Sequence, residues 1–159
     1  MPTANVYLGL GTNLGNKKAN LLLAMEQIKN RIGRINSLSG FYTTEPWGFK
    51  SDNTFLNAAC IVETTHTPLE ILALIKQIEI ELGRQQKSIN GVYSDRPIDI
   101  DILLYDDLVM QTPELTIPHP LMHQRLFVMQ PLAEIASECM HPTLHQTIKQ
   151  LYEAITIKC

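Results

Sequence analysis

"EPWGFKSDN", residues 45–53, joins two stretches that each read as a strand, and it is too short and too polar to be a helix. That exclusion decides the fold. Upstream, "RINSLSGFYTTEPWG" (34–48) reads as a strand broken at Pro46; downstream, "TFLNAACIVET" (54–64) alternates as another. A doubly wound α/β sheet would need a helix between them. Before this pair, "NVYLGLG" (5–11) reads as a buried first strand, followed by a helix over "NKKANLLLAMEQIKNRIG" (16–33). The helix carries Leu21, Met25, Ile28 and Ile32 at helical spacing, and Gly33 is expected as a left-handed stop.

After the pair comes "TPLEILALIKQIEIELG" (67–83), with a Thr67/Glu70 capping box, Pro68 at the first helical position and Gly83 at the end. A polar loop (84–95) leads into "DRPIDIDILLY" (95–105), a strand by its period of two. "DD" at 106–107 suggests a turn into a short "LVMQ" strand (108–111). "TPELTIPHPLMHQR" (112–125) is punctuated by proline, and helical segments around 126–137 and 143–155 follow. The order β-α-β-β-α-β is the split βαβ arrangement of ferredoxin-like α+β folds. The expectation is a single domain over 1–159, with a mainly antiparallel sheet, both helices on one face and added C-terminal helices. The other face is expected to be free to work.

The chain has 159 residues, 45% hydrophobic and 18% charged, which suffices for one well-filled core. A net charge of −3 argues against a large nucleic-acid or anionic-membrane surface. Cys60, Cys139 and Cys159 are scattered and odd in number. No 18-residue apolar run or signal-peptide pattern occurs, so the expected setting is the cytoplasm.

In "DRPIDIDILLY", Ile98, Ile100 and Ile102 take one face while Asp99 and Asp101 take the other. Asp is a poor strand former, and like charges on one face repel. A structural account would pair the acids with Arg96 and Arg84. The chemical account is divalent metal: alternate strand positions set two carboxylates about 7 Å apart, a gap that two Mg²⁺ ions can fill from between. Mg²⁺ favours one or two carboxylates plus substrate phosphates. Arg84, Lys87, Arg96, His119 and Arg125 lie in or beside expected loops, so acids for metal and cations for phosphate point to nucleotide phosphoryl transfer.

Two other motifs carry less. "GLGTNLGN" places Gly9, Gly11 and Gly15 one residue too far apart for a dinucleotide fingerprint, so a tight turn is the expectation. His119/His123 and His141/His145 have H-x-x-x-H spacing with Cys139 nearby, but each contains a proline and neither has the HExxH glutamate. Surface or capping histidines are expected rather than zinc ligands, with His119 still able to hydrogen-bond a substrate.

Taken together, "RPIDIDILLYDD", "FYTTEPWG", "FLNAA", "IELGR" and "TIPHPLMHQRLFVMQPL" resemble the 6-hydroxymethyl-7,8-dihydropterin pyrophosphokinases of folate biosynthesis over essentially the whole chain. The resemblance implies transfer of the β,γ-diphosphoryl group of ATP to the pterin hydroxymethyl oxygen, with release of AMP. It implies two Mg²⁺ ions at Asp99 and Asp101, with Arg96 and Arg84 also catalytic. Pterin binding maps onto Thr44 and Trp47 through main-chain groups, Asn57 at the pyrimidine edge, and Phe55 and Phe127 as a stacking pair. A flat polar heterocycle suits two aromatic faces and one amide. ATP contacts map onto Glu79, Lys87, Tyr93, Arg96, Ile102, Thr116, His119 and Arg125. The implied partners are ATP and the pterin, with no nucleic acid and no membrane, and a monomer is expected. The chain departs from the family pattern at Ser94 and Asp95, where glycine–proline is commoner, and at Gln86, where a second arginine often stands. A non-catalytic binding module would lack the acids or the cations. A Mg²⁺ phosphohydrolase would lack the paired aromatics with Asn57.

Overall fold

The computed structural model describes residues 2–44, 54–83 and 98–157. Five strands form the main sheet: β1 (Ala4–Thr12), β2 (Gly33–Leu38), β3 (Tyr42–Thr44), β4 (Phe55–Thr64) and β5 (Asp99–Tyr105). Between and after them run α1 (Lys17–Arg31), α2 (Pro68–Glu81), the two-residue strands β6 (Met110–Gln111) and β7 (Thr116–Ile117), α3 (Leu126–Ala136) and α4 (Ile148–Ile157). The sheet order is β2-β4-β1-β5, with β3 also on β4, and every pairing is antiparallel. This is the expected α+β, ferredoxin-like arrangement.

Local chemistry starts α1 and both starts and stops α2. Asn16 caps α1 by accepting the Ala19 N–H at 3.1 Å. At α2 the capping box is complete: Thr67 N–H donates to Glu70 Oε1 at 2.8 Å and Glu70 N–H to Thr67 Oγ1 at 3.3 Å. Gly83, at φ 109°, ends it. The apolar stripes of α1 and α2 bury Leu21, Met25, Ile28, Ile71, Ile75 and Ile78 against Val6, Leu8, Leu10, Ala58, Cys60 and Val62. Ile98, Ile100 and Ile102 join that layer. Burying one such side chain contributes about 1.5–3 kcal/mol, while strand propensities span only ~1 kcal/mol. The three isoleucines therefore outweigh the cost of the two aspartates between them.

Several expectations are corrected. The second face of the sheet is left free only in part. Ala59 and Leu103 lie on it, and α3 and α4 cover them with Met129, Leu132, Ile148 and Leu151. Those helices have apolar stripes of their own, which this face buries. Gly33 is not a left-handed stop; it is the first residue of β2, where an added Cβ would meet the Glu63 carbonyl oxygen at 2.0 Å. Its role is close backbone approach. The break in the second strand falls at residues 39–41, between β2 and β3, while Pro46 lies outside the described residues. The "LVMQ" strand shrinks to β6, held by β7 in the stretch expected to be irregular. The last helix starts at Ile148 because residues 141–147 are taken up by a turn closed on His141 and a Met140–Thr147 bridge. Among the described residues, no helix is long and apolar enough to cross a membrane.

Candidate active site

Asp99 and Asp101 are half-buried on the face of β5 opposite the isoleucines. Register carries the site across the sheet. Asp99 pairs with Gly11 of β1, Gly11 with Asn57 of β4, and Asn57 with Tyr42 of β3. Beside this row, Asp101 pairs with Gly9 and Gly9 with Ala59, while Phe55 pairs with Thr44. Directly paired residues share a face, so acids, glycines and amide lie in one line.

The glycines leave bare main chain between the acids and Asn57. A Cβ at Gly11 would come within 2.9 Å of Asn57 Oδ1 and 3.5 Å of the Phe55 ring; at Gly9 it would meet Leu103 at 3.4 Å. The tight-turn expectation is thus right only for Gly15, at φ 65°; Gly9 and Gly11 are strand residues. Asn57 is buried, as is Asn13 just past the end of β1.

His119 is held from both sides. Its N–H donates to the Leu103 carbonyl at 3.0 Å, and its Nδ1 accepts the Leu121 N–H at 3.3 Å. The neutral ring therefore carries its proton on Nε2. Burial pushes the His119 pKa down to about 4; the Arg125 charge acts in the same direction and Asp99 opposes it. Asp99, His119 and Arg125 thus share one electrostatic neighbourhood. Arg125 is buried immediately before α3, its guanidinium carbon 5.9 Å from the centroid of the Phe127 ring.

Other expected site residues take different positions. Glu79 is buried on α2 and accepts the Ile100 N–H at 2.9 Å, on the outer edge of β5 between the two acids. Ile102 points into the core under α1 and α2, so its main chain is what it can offer a nucleotide. Thr116 is half-buried in β7. Thr44 ends β3 opposite Phe55. Trp47, Arg84, Lys87, Tyr93 and Arg96, with the departures Gln86, Ser94 and Asp95, lie outside the described residues.

The second histidine pair is capping machinery. His141 Nδ1 accepts the Thr143 and Leu144 N–H groups at 3.3 and 3.1 Å. His141 is buried rather than on the surface, and the His123 ring meets it edge-on at 6.2 Å. Among the described residues, no three His, Cys, Asp or Glu side chains converge as metal ligands. The acid pair is a set of two hard oxygen donors, the kind that Mg²⁺ shares with substrate phosphates.

Sequence reasoning missed Gly9 and Gly11 as the floor between the acids and Asn57. A signal was present: glycine at every second position of an otherwise apolar strand marks a face kept bare. Nothing in the sequence singled out Tyr42 or Glu134, which meet across 92 positions of chain.

Residues 7–137 match the family model of 7,8-dihydro-6-hydroxymethylpterin-pyrophosphokinase. The chain is 51% identical over 140 residues to a 2-amino-4-hydroxy-6-hydroxymethyldihydropteridine pyrophosphokinase of Porphyromonas gingivalis, covering 87% of this chain and 95% of that protein. It is 37% identical over 155 residues to the enzyme of the same name from Aquifex aeolicus, covering 98% and 94%. Among solved structures, an HPPK-DHPS in complex with substrates matches with a TM-score of 0.79 at 16% identity, over 99% of this chain and 44% of that one. The wild-type Plasmodium falciparum HPPK-DHPS with pteroate gives 0.79 at 17% identity, over 99% and 45%. The chain spans under half the length of those two structures, which support the fold. The family model and the relatives together show that the chain belongs to the 7,8-dihydro-6-hydroxymethylpterin pyrophosphokinases, which transfer a pyrophosphoryl group to hydroxymethyldihydropterin in folate biosynthesis.

Proposed function

We propose that the chain performs this transfer at the end of the sheet where Asp99, Gly11 and Asn57 stand in register. The observation that carries the reading is that line: carboxylates at one end, a buried amide and aromatic ring at the other, and bare glycine backbone between. Phe55 and Phe127 take the two faces of the pterin, Asn57 its pyrimidine edge, and the main chain at Thr44 and Trp47 the rim. His119 donates from Nε2 and Arg125 from its guanidinium to phosphate oxygens. Glu79, Lys87, Tyr93, Thr116 and the Ile102 main chain take the rest of ATP, with Arg84 and Arg96 beside the triphosphate.

The hydroxymethyl oxygen attacks the β-phosphorus. The bond from that phosphorus to the α–β bridging oxygen breaks, its electron pair stays with the departing AMP, and the hydroxyl proton is lost. Asp99 and Asp101 would hold two Mg²⁺ ions, which when bound neutralise charge on the transferred group. The chain's own residues align the acceptor oxygen with the phosphorus across the glycine floor, and the aromatic walls exclude water that would otherwise hydrolyse ATP.

The test is AMP release from ATP and Mg²⁺ with and without 6-hydroxymethyl-7,8-dihydropterin. AMP should appear only with the pterin and cease in EDTA. Asp99→Asn and Asp101→Asn should each lower turnover at least ~10²-fold, the usual cost of removing one preorganised electrostatic contributor. Phe55→Ala and Phe127→Ala should weaken the pterin more than ATP, by about 1–3 kcal/mol per stacked ring. AMP produced equally without pterin would make the protein a phosphohydrolase. The proposal also has the enzyme acting as a cytoplasmic monomer; light scattering should give a mass near 18.0 kDa.

A further inference from the structure

Glu134 lies on α3 seven residues beyond Phe127, about 10 Å along the axis and within roughly 20° of the same face. Two donors from a distant part of the chain converge on it. Gly40 N–H donates to its two oxygens at 3.0 and 3.3 Å, and the Tyr42 hydroxyl donates to Oε1 at 2.5 Å. The Gly40 N–H is one that the sheet leaves over. Between the Leu38–Cys60 and Tyr42–Asn57 pairs, three residues of one strand face two of β4, so one falls out of the ladder. Ser39 secures the inner side of this irregularity: its N–H donates to the Ala59 carbonyl and its Oγ accepts the Ala59 N–H, both at 2.9 Å. Glu134 takes the outer side. Tyr42, which it grips, stands directly opposite Asn57 on the same face.

We propose that Glu134 is a positioning residue: through Gly40 and Tyr42 it sets the spacing between Phe127 on α3 and the Asn57–Phe55 wall on β4, and so the width of the pterin slot. The inference rests on the assignment of those three residues to the pterin made above. Its chemistry suits the task. The hydrogen bond to Glu134 holds the Tyr42 pKa up at about 12, in keeping with a phenol that donates to the carboxylate. Glu134 itself is exposed, lining a groove with Ser137, Lys149 and Tyr152, so its removal strands no buried charge and the variant should fold.

The experiment measures 6-hydroxymethylpterin binding by calorimetry, with a non-hydrolysable ATP analogue and Mg²⁺, in Glu134→Ala, Glu134→Gln and Asn57→Ala. Loss of these two hydrogen bonds in Glu134→Ala should raise the pterin Kd roughly three- to tenfold, with analogue binding unchanged within about twofold. Glu134→Gln should stay near wild type, because one amide oxygen at the Oε1 position can accept from both Gly40 and Tyr42. Wild-type pterin affinity in Glu134→Ala, while Asn57→Ala loses it, overturns the positioning role and leaves the pterin assignment standing. An equal loss for pterin and analogue in Glu134→Ala, or a Glu134→Gln variant as weak as Glu134→Ala, also overturns it. Unchanged pterin affinity in Asn57→Ala as well means the slot is elsewhere, and the inference fails with the assignment.

Discussion

A methyl group added at Gly11 would sit 2.9 Å from Asn57 Oδ1, closer than packed atoms come, while the Phe55 ring at 3.5 Å would stay in ordinary contact. Asn57 cannot yield cheaply, because it is buried and belongs to β4, which β1 holds in register. Gly11→Ala should therefore displace the amide proposed to meet the pterin edge. Expected are a pterin Kd raised at least ~10-fold and a stability loss of about 1–3 kcal/mol, the usual range for overpacking. Calorimetry with the pterin and a urea melt check the two parts; an unchanged Kd would show that Asn57 does not meet the substrate. At this scale much of the site could be read directly. The isoleucine–aspartate alternation of 98–102 placed both acids on one face, because a strand's period of two is a local property. What lay opposite them could not be read, since register is set between strands.

At the scale of elements, two polar groups hold secondary structure in place. Glu79 ties α2 to the outer edge of β5 by accepting the Ile100 N–H. Glu79→Ala should leave that donor unsatisfied and cost about 1–3 kcal/mol, read as a lower midpoint in urea. His141 closes the turn ahead of α4 with an Nδ1 that must stay unprotonated to accept from Thr143 and Leu144. Burial, reinforced by His123 and His145, lowers its pKa. The sign follows from linkage: the unfolded chain takes up the proton first, so this stability is full above about pH 6.5 and declines as pH falls toward the lowered native pKa. Melting temperature should fall between pH 7.5 and 5.5. His141→Asn, whose side-chain oxygen can accept the same N–H groups, should flatten part of that slope. The proline-containing spacing of this histidine pair suggested capping, and capping is what His141 does. Its burial was not visible, because the His123 ring that packs against it is brought there by the fold.

The whole molecule is a sheet between two helical layers, and the layers divide the labour. α1 and α2 bury the apolar face of the strands; α3 and α4 cover part of the other face, and α3 carries Phe127 beside Arg125, whose charge acts with that of Asp99 on His119. Leu132→Ala, a fully buried truncation in the second layer, should cost about 2–5 kcal/mol. Because α3 also carries Phe127, the same variant should weaken the pterin more than an ATP analogue. Parallel losses for both ligands would show that α3 moves independently of the slot.

The βαββαβ order of the core, the caps of α2, the inward isoleucines and outward aspartates of β5, and the family were all legible in the sequence. All of these rest on short-range periodicity, on capping chemistry within three residues, or on contiguous motifs. Only tertiary packing reveals that the second face is covered in part. It also made Gly33 a point of close approach, set Gly9 and Gly11 as the floor between acids and amide, and brought Glu134 to Gly40 and Tyr42. Each of these depends on register, on an extra residue in one strand, or on contacts made across long stretches of chain, and no local pattern encodes such a distance.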